Sequence, residues 1–396
     1  MRIASVAFTN YDADPRVRRM SEALVERGDS VTAVTLRQPG QARRRRVGGV
    51  RVYTIEIAQY QGSSFAPYIW QYVRFLFAAM WVLTRLHLRN RFDVIHVNNM
   101  PDFIVFAALP AKLLGAKVIL DLHDPMPELF AAKFDAGSKH PAVRVVTLVE
   151  RISIGFADRA ICVQQVHLET FVSHGNPREK FVEVQNAADT RNFPVGAALE
   201  HASTSGKTRI IYHGTVAPRL GIDTLVEAIA LERETFANVE MVLIGDGDAA
   251  ADIQALIAER SLGAIIDFRR GFIPVTDLLP ELEQAHIGVV PAGMDAFTST
   301  MLPSKLLEYV TLGIPTVCSD LPAVRRYFGE DEMRYFPAGD AGALAGALVD
   351  LVGDPAAREL QAKRAMRFLD VHGWERERDK YLSLIDQLGG NALLGE

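Results

Sequence analysis

Short apolar strands alternate with helix-length segments along this chain, stop at a polar stretch, and then begin again. In the first half "IASVAFT", "SVTAVTL", "VRVYTIE", "DVIHVN", "KVILDLH", "RAICVQ" and "FVEVQN" read as strands, since β-branched and apolar residues gather there in runs of strand length. Helical patterns such as "DPRVRRMSEALVERG" and "DFIVFAALPAKLLG", the latter closed by Gly115, lie between most of them. Strand–helix alternation implies a parallel sheet covered by helices on both faces. Residues 186–208 are polar, rich in small residues and without period, and read as a linker. Beyond them "RIIYHGTV", "VEMVLIGDG", "IIDFRRG", "IGVVPA" and "PTVCSD" restart the alternation, and "GWERERDKYLSLIDQL" follows a break at Gly373 as an amphipathic helix. The expected organisation is α/β, with two doubly wound domains at 1–190 and 191–373 and a terminal helix in 374–396. Two such sheets in tandem place a cleft between the carboxyl ends of their strands, where open α/β sheets bind ligands.

A length of 396 residues exceeds one ordinary core, which agrees with two domains. The two cysteines, Cys162 and Cys318, both fall inside apolar strand-like runs. A disulfide framework is not expected, and a reducing cytoplasm is the expected compartment. The first residues lack the uninterrupted apolar run and small-residue cleavage site of a signal peptide. Residues 65–92 are the most apolar stretch, but Arg74 leaves "FLFAAMWVL" too short to span a bilayer. A net charge of −5 hides an asymmetry: residues 1–92 hold 15 Lys and Arg against 6 Asp and Glu, a balance of +9. That points to an anionic surface or substrate facing the N-terminal half.

The stretch "LPSKLLEYVTLGIPTVCSD" sets Lys305 in the first turn of a helix beginning near Ser304. A helix N-terminus already favours anions, so a cation there suggests an external anion shared by both. In "YHGTVAPRLGIDTLVEAI" a strand ends at Gly214, a loop carries Arg219, and Gly221 precedes a helix whose free N–H groups suit phosphate. Two cations at the mouths of two crossovers are expected to clamp one diphosphate. Glu308, one turn into its helix, either accepts from a ribose diol or only complements the helix dipole. His123 and Asp124 in "DLHDPMPELF" stand at a strand's carboxyl end, stiffened by Pro125 and Pro127. The glycine turn "LIGDGD" is weak by itself, and the G-x-G-x-x-G fingerprint is absent, which argues against an NAD dehydrogenase. Arg43 to Arg46 read as a solvated loop. No zinc spacing, H-E-x-x-H, G-x-S-x-G or P-loop appears, and no aspartate pair is read as a metal site.

Taken together, "YHGTVAPRLGIDTLVEAI", "VLIGDGD", "LPSKLLEYVTLGIPTV", "HDPMPE", "VQNAAD" and "GWERERDKYL" resemble the retaining, GT-B-fold nucleotide-sugar glycosyltransferases of family 4 (group 1). The resemblance spans essentially the whole chain. It implies a GT-B fold, two Rossmann-like domains facing across a cleft with the last helix crossing back to the first domain. It assigns catalytic roles to His123, Arg219 and Lys305, with Lys305 and Arg219 on the diphosphate, Glu308 on the ribose and His123 facing the donor sugar. The rest of the donor site is expected at Gly214, Gly245, Phe272, Ile273, Thr300, Ser304 and Leu306, and the acceptor side at Asp14, Arg16 and Asp124. The family's glutamate eight residues before the ribose-binding acid is Thr300 here, with Asp295 the nearest upstream acid. Thr215 and Leu220 stand where the family places its usual arginine and lysine, so Arg219 is shifted by one.

The implied activity is transfer of a sugar from a nucleotide-diphosphate donor to a glycan or lipid-linked acceptor, with retention and without a cofactor or divalent metal. Peripheral contact with the inner face of an anionic membrane is a further expectation, and nucleic acid is not an expected partner. A nucleotide-sugar epimerase on the same scaffold and a non-catalytic sugar-nucleotide-binding subunit are the alternatives.

Overall fold

The computed structural model describes residues 1–57, 60, 65–134, 137, 140–201, 206–271 and 273–390. The chain divides into two compact units, Met1–Asn186 with Glu375–Glu396, and Ala187–Trp374.

The first unit is built on eight strands: β1 (Arg2–Asn10), β2 (Ser30–Leu36), β3 (Arg44–Val47), β4 (Val50–Ile55), β5 (Val94–Asn98), β6 (Lys117–Leu122), β7 (Arg159–Cys162) and β8 (Phe181–Glu183). Their order is β3-β4-β2-β1-β5-β6-β7-β8. Every pairing is parallel except that of β3 with β4. Central strands such as β5, "VIHVN", are buried along their whole length, as a sheet covered on both faces requires. The order reverses between β1 and β5, so the loops after those strands diverge and open a crevice at their carboxyl ends.

Two local expectations need correction. Arg44–Val47 is an edge strand paired antiparallel with β4, not a loop. Arg45 reaches Asp12 and Arg44 lies over the Tyr53 ring, and charged side chains on an edge discourage further strand pairing. The segment expected as one helix closed by Gly115 is a 3₁₀ stretch, Asp102–Ala108, followed by a short α-helix, Leu109–Leu113. Pro110 stands inside the expected helix, where it has no N–H to continue an earlier α-helical ladder.

The second unit carries six parallel strands: β9 (Thr208–His213), β10 (Val239–Gly245), β11 (Ile266–Arg270), β12 (Ile287–Val290), β13 (Thr316–Ser319) and β14 (Arg334–Phe336). Their order is β11-β10-β9-β12-β13-β14, with the reversal between β9 and β12. One core lies on each sheet face: Ile210, Tyr212, Met241 and Val289 on one, Ile211, Val242, Val290 and Cys318 on the other. Alternate residues of β9 and β10 serve opposite faces, as the two-residue strand period demands.

The last helix, Trp374–Gly389, is bound into the first unit by polar contacts along its length. Glu377 accepts from the Gln185 backbone N–H at 2.8 Å, the Tyr381 hydroxyl meets His96 Nδ1 at 2.9 Å, and Asp386 pairs with Arg27 at 2.9 Å.

Candidate functional site

In the second unit the loops after β9, β10 and β12 and the helix Ser304–Leu312 converge at the strand-order reversal. A side-chain Cβ on Gly245 would stand 1.8 Å from Gly214 O, so only glycine lets these two loops touch backbone to backbone. Gly221 has φ +67°, and a Cβ there would meet Pro291 O at 1.9 Å. These contacts pin the short Pro218–Leu220 turn that carries Arg219, and Gly293 N–H donates to Arg219 O at 2.9 Å. The Arg219 guanidinium is exposed, lies 5.5 Å over the Phe297 ring, and has no carboxylate partner among the described residues.

Lys305 stands in the first turn of the helix that begins at Ser304 behind Pro303, which offers no side-chain cap, so the first N–H groups have no partner within the helix. Its Nζ donates to the Tyr212 hydroxyl at 2.8 Å and sits 4.1 Å from the centre of the Tyr212 ring. No carboxylate lies within ion-pair distance of Lys305 among the described residues. Burial pulls the Lys305 ammonium down to about 7, with Glu308 opposing weakly from the next turn. His213, buried, is held neutral: burial and the neighbouring Lys305 lower it to about 3. Its Nε2 has no hydrogen-bond partner among the described residues and lies 3.2 Å from Glu308 Oε2.

The remaining expected donor residues divide. Ser304 is exposed and Gly214 stands against Lys305, where a Cβ would come within 3.3 Å of Lys305 Cε. Thr300 donates to Phe297 O at 2.9 Å. Asp295 accepts from the N–H groups of Phe297 and Thr298 and from the Thr298 hydroxyl, holding that turn together. Ile273 packs against the core, and Phe272 lies outside the described residues. Leu306 is a correction: its side chain is fully buried and its N–H is taken by Pro303 O at 3.0 Å, so it offers a ligand nothing.

In the first unit Arg16 is a second correction. It is 5% exposed, and its guanidinium is consumed within the unit. It forms two 2.9 Å bonds with Asp121, one of 2.9 Å with Asn186 and one of 3.0 Å with Val184 O. Burial pushes the Asp121 carboxyl up, but Arg16, His123 and His96 outweigh it and hold Asp121 well below the usual carboxylate range. Asp14 caps its helix, accepting from Arg16 N–H at 3.1 Å and Val17 N–H at 3.0 Å. Its carboxylate therefore orients the helix that carries Arg16.

His123 remains partly accessible at the end of β6. Its backbone N–H donates to Asn99 Oδ1 at 2.8 Å, and its Nε2 stands 3.4 Å from Asn98 Oδ1 and 3.6 Å from Asp121 Oδ2. Asp124 O accepts from Asn99 at 3.2 Å, which ties the β5 and β6 loops together. Below them Glu150, fully buried, meets His174 Nδ1 at 2.9 Å, while His174 Nε2 meets Glu128 at 3.2 Å. Burial would lower His174, but the two carboxylates raise it to about 10.

Among the described residues no group of three or more His, Cys, Asp or Glu is placed to hold a metal ion. Two aspartate pairs that the sequence reading passed over do stand two residues apart. Asp12 pairs with Arg45 and Asp14 caps a helix. Asp246, next to Asp248 in the other pair, faces Arg270 at 3.2 Å.

Two family models match in succession, the glycosyl transferase 4-like domain over residues 13–187 and the glycosyl transferases group 1 over residues 207–354. The chain belongs to the GT-B glycosyltransferases. A phosphatidyl-myo-inositol mannosyltransferase of Mycobacterium leprae is 26% identical over 49% of this chain and 50% of that protein. The chain thus spans about half the length of that relative. Sucrose-phosphate synthase from Thermosynechococcus elongatus superposes with a TM-score of 0.77 at 19% identity, over 99% of this chain and 100% of the other. Anabaena HepE, solved in complex with UDP-glucose, superposes at 0.73 and 12% identity over 97% of this chain and 99% of the other. At such identities the structures speak for the GT-B fold alone.

Sequence reasoning passed over Tyr212 and His213 in this GT-B chain. The "YH" before Gly214 reads as ordinary strand, and only the folded β9 shows Tyr212 beneath Lys305 and His213 beside Glu308. Two aromatic rings in succession at the end of the strand, directly before Gly214, were the available signal.

Proposed function

We propose that this GT-B chain transfers a sugar from a nucleotide-diphosphate donor to a lipid-linked or glycan acceptor, with retention of anomeric configuration. The observation that carries the reading is Lys305: a half-buried cation with no carboxylate partner among the described residues, at the open N-terminus of a helix. Such a site lacks an anion, and a diphosphate supplies one. Arg219, also without a carboxylate among the described residues, is proposed as the second diphosphate cation, and Glu308 as the acceptor of the ribose hydroxyls. HepE's complex with UDP-glucose supports a nucleotide sugar as donor, and the name of the M. leprae relative supports a lipid acceptor.

In the proposed reaction the bond from the anomeric carbon to the diphosphate oxygen breaks, and an acceptor oxygen attacks on the same face. The acceptor's proton passes to the leaving diphosphate. Lys305, Arg219 and the helix N-terminus stabilise the charge that develops there. His123, held by Asn99 and Asn98, is proposed to face the donor sugar. No divalent metal takes part, so activity should persist in excess chelator; strict loss restored by magnesium or manganese would contradict that.

The test is turnover with a panel of nucleotide sugars and lipid or oligosaccharide acceptors, with the product anomer read by NMR. An inverted product would end the retaining assignment, and a free isomerised sugar without acceptor would favour an epimerase. A non-catalytic binding subunit is the second reading, favoured by Thr300: its hydroxyl cannot replace a carboxylate, and Asp295 is committed to its own turn. Tight nucleotide-sugar binding without any turnover would support it.

A further inference from the structure

The first unit leaves a broad apolar face uncovered. On the helix Phe65–Asn90, Trp70, Phe77, Trp81 and Leu88 are each 61–63% exposed. Their spacing of seven, four and seven residues sets them on one line, which at 1.5 Å per residue runs about 27 Å. The opposite side of the same helix, with Phe75, Ala79 and Leu83, is the buried one. The helix is therefore apolar on both sides, and the sheet covers only one of them.

The surface continues over neighbouring elements. The 3₁₀ stretch Asp102–Ala108 packs beside the long helix and also beside the helix Pro141–Phe156, where Phe106 and Phe156 meet at 5.1 Å. Leu113, in the short helix after that stretch, is 78% exposed, and Val145, Leu148 and Ile152 of Pro141–Phe156 are all more than half exposed. Apolar patches of this extent mark a partner or a membrane.

Charge decides between them. Residues 65–90, 102–117 and 141–156 contain only two carboxylates, Asp102 and Glu150, and both are buried. The exposed ionised groups are cations: Arg74, Arg85 and Arg89 on the long helix, Arg144 and Arg151 on Pro141–Phe156. None of these five has a carboxylate partner among the described residues. Arg85 lies 5.4 Å over the Trp81 ring, an arginine stacked on an interfacial aromatic. A second copy meeting this face with its own would set arginines against arginines. An anionic lipid surface complements both the apolar line and the cations. Among the described residues no helix is long and apolar enough to cross a membrane, so the face rests on the bilayer.

We propose that the face built by Phe65–Asn90, Leu109–Leu113 and Pro141–Phe156 docks the first unit flat on an anionic lipid bilayer, with Trp70, Phe77, Trp81 and Leu88 entering the headgroup layer. This concerns the surface and not the sugar-transfer site, so it is tested on vesicles that contain no acceptor. The full chain is floated with vesicles of phosphatidylcholine alone and with added phosphatidylglycerol, at low and high salt. The expected result is partition onto the anionic vesicles, weakened by salt. A Phe77→Glu/Trp81→Glu variant should lose about tenfold or more of it, since apolar insertion and headgroup attraction both suffer. Leu231→Glu/Leu360→Glu, which charges exposed leucines of the second unit, should bind like the parent. Tryptophan emission of the parent gives a readout free of any folding defect. Two of the three tryptophans lie on the proposed line and the third, Trp374, is buried, so anionic vesicles should shift emission to the blue. Absence of binding to anionic vesicles at low salt would overturn the proposal. So would unchanged binding by the Phe77/Trp81 variant, or a soluble dimer that this variant dissociates while vesicle partition stays unaltered.

Discussion

Lys305 Nζ donates to the Tyr212 hydroxyl at 2.8 Å, and that hydroxyl donates in turn to Thr215 O at 2.6 Å. The lysine is thus aimed by a neutral group, since burial pushes the Tyr212 hydroxyl up and keeps it protonated. A carboxylate in that place would have neutralised the cation. A phenol holds it in position and leaves its charge for a ligand.

Removing either proposed clamp cation should therefore weaken nucleotide-diphosphate binding more than it weakens the fold. Lys305→Met and Arg219→Ala are each expected to lose about 1.5–3 kcal/mol of affinity, the scale of charge-assisted hydrogen bonds. Calorimetric titration with UDP and GDP checks it, and affinity unchanged in both variants would remove the clamp.

Nucleotide affinity should also depend on pH through Lys305. Its ammonium is lowered to about 7 by burial, and a bound diphosphate raises it again by favouring the cation. Below pH 7 the lysine is already charged and affinity is flat. Above it each binding event must take up a proton, so affinity falls by up to about tenfold per pH unit until the bound-state value is reached. Titration between pH 6 and 9 should show this slope in the parent and lose it in Lys305→Met.

Glu308→Gln keeps shape and removes charge. With Glu308 on the ribose, kcat/KM should fall by about tenfold or more, the worth of a charged hydrogen bond, while Tm moves little. A lowered Tm with unchanged kinetics would instead make Glu308 a partner of the helix dipole only.

Arg16 gives the opposite signature. Arg16→Met strands the buried Asp121 carboxylate, and breaking a buried pair from one side costs about 3–5 kcal/mol. Chemical denaturation should show that loss at neutral pH. It should shrink on acidification, because the variant's Asp121, without its guanidinium, is neutralised at a higher pH than the parent's. A change confined to acceptor KM, without loss of stability, would return Arg16 to the acceptor side.

The Glu128–His174–Glu150 relay should make stability fall at alkaline pH. His174 titrates near 6.5 in an unfolded chain and near 10 when folded, so its contribution is complete below 6.5 and is lost as pH rises towards 10. The difference in Tm between the parent and His174→Gln should accordingly be largest near pH 6 and shrink by pH 10.

The order of elements and the GT-B class were legible in the chain itself. Hydrophobic period and glycine placement are local properties, and a strand–helix series interrupted once leaves few ways to cover two parallel sheets. The places of Lys305, Arg219 and Glu308 at crossover mouths were legible for the same reason, since they follow from chain order. The fate of Arg16 was not. Asp121 stands 105 residues away and Asn186 170, and only the folded sheet brings β6 and the chain after β8 to the first helix. A sequence shows that an arginine is present, while its burial against a distant carboxylate decides whether it is spent inside the protein or offered to a ligand. Leu306 and Tyr212 divide on the same ground. Helix phase turns Leu306 into the core beside an outward lysine, and strand pairing sets Tyr212 beneath that lysine, where a phenol can aim a cation without neutralising it.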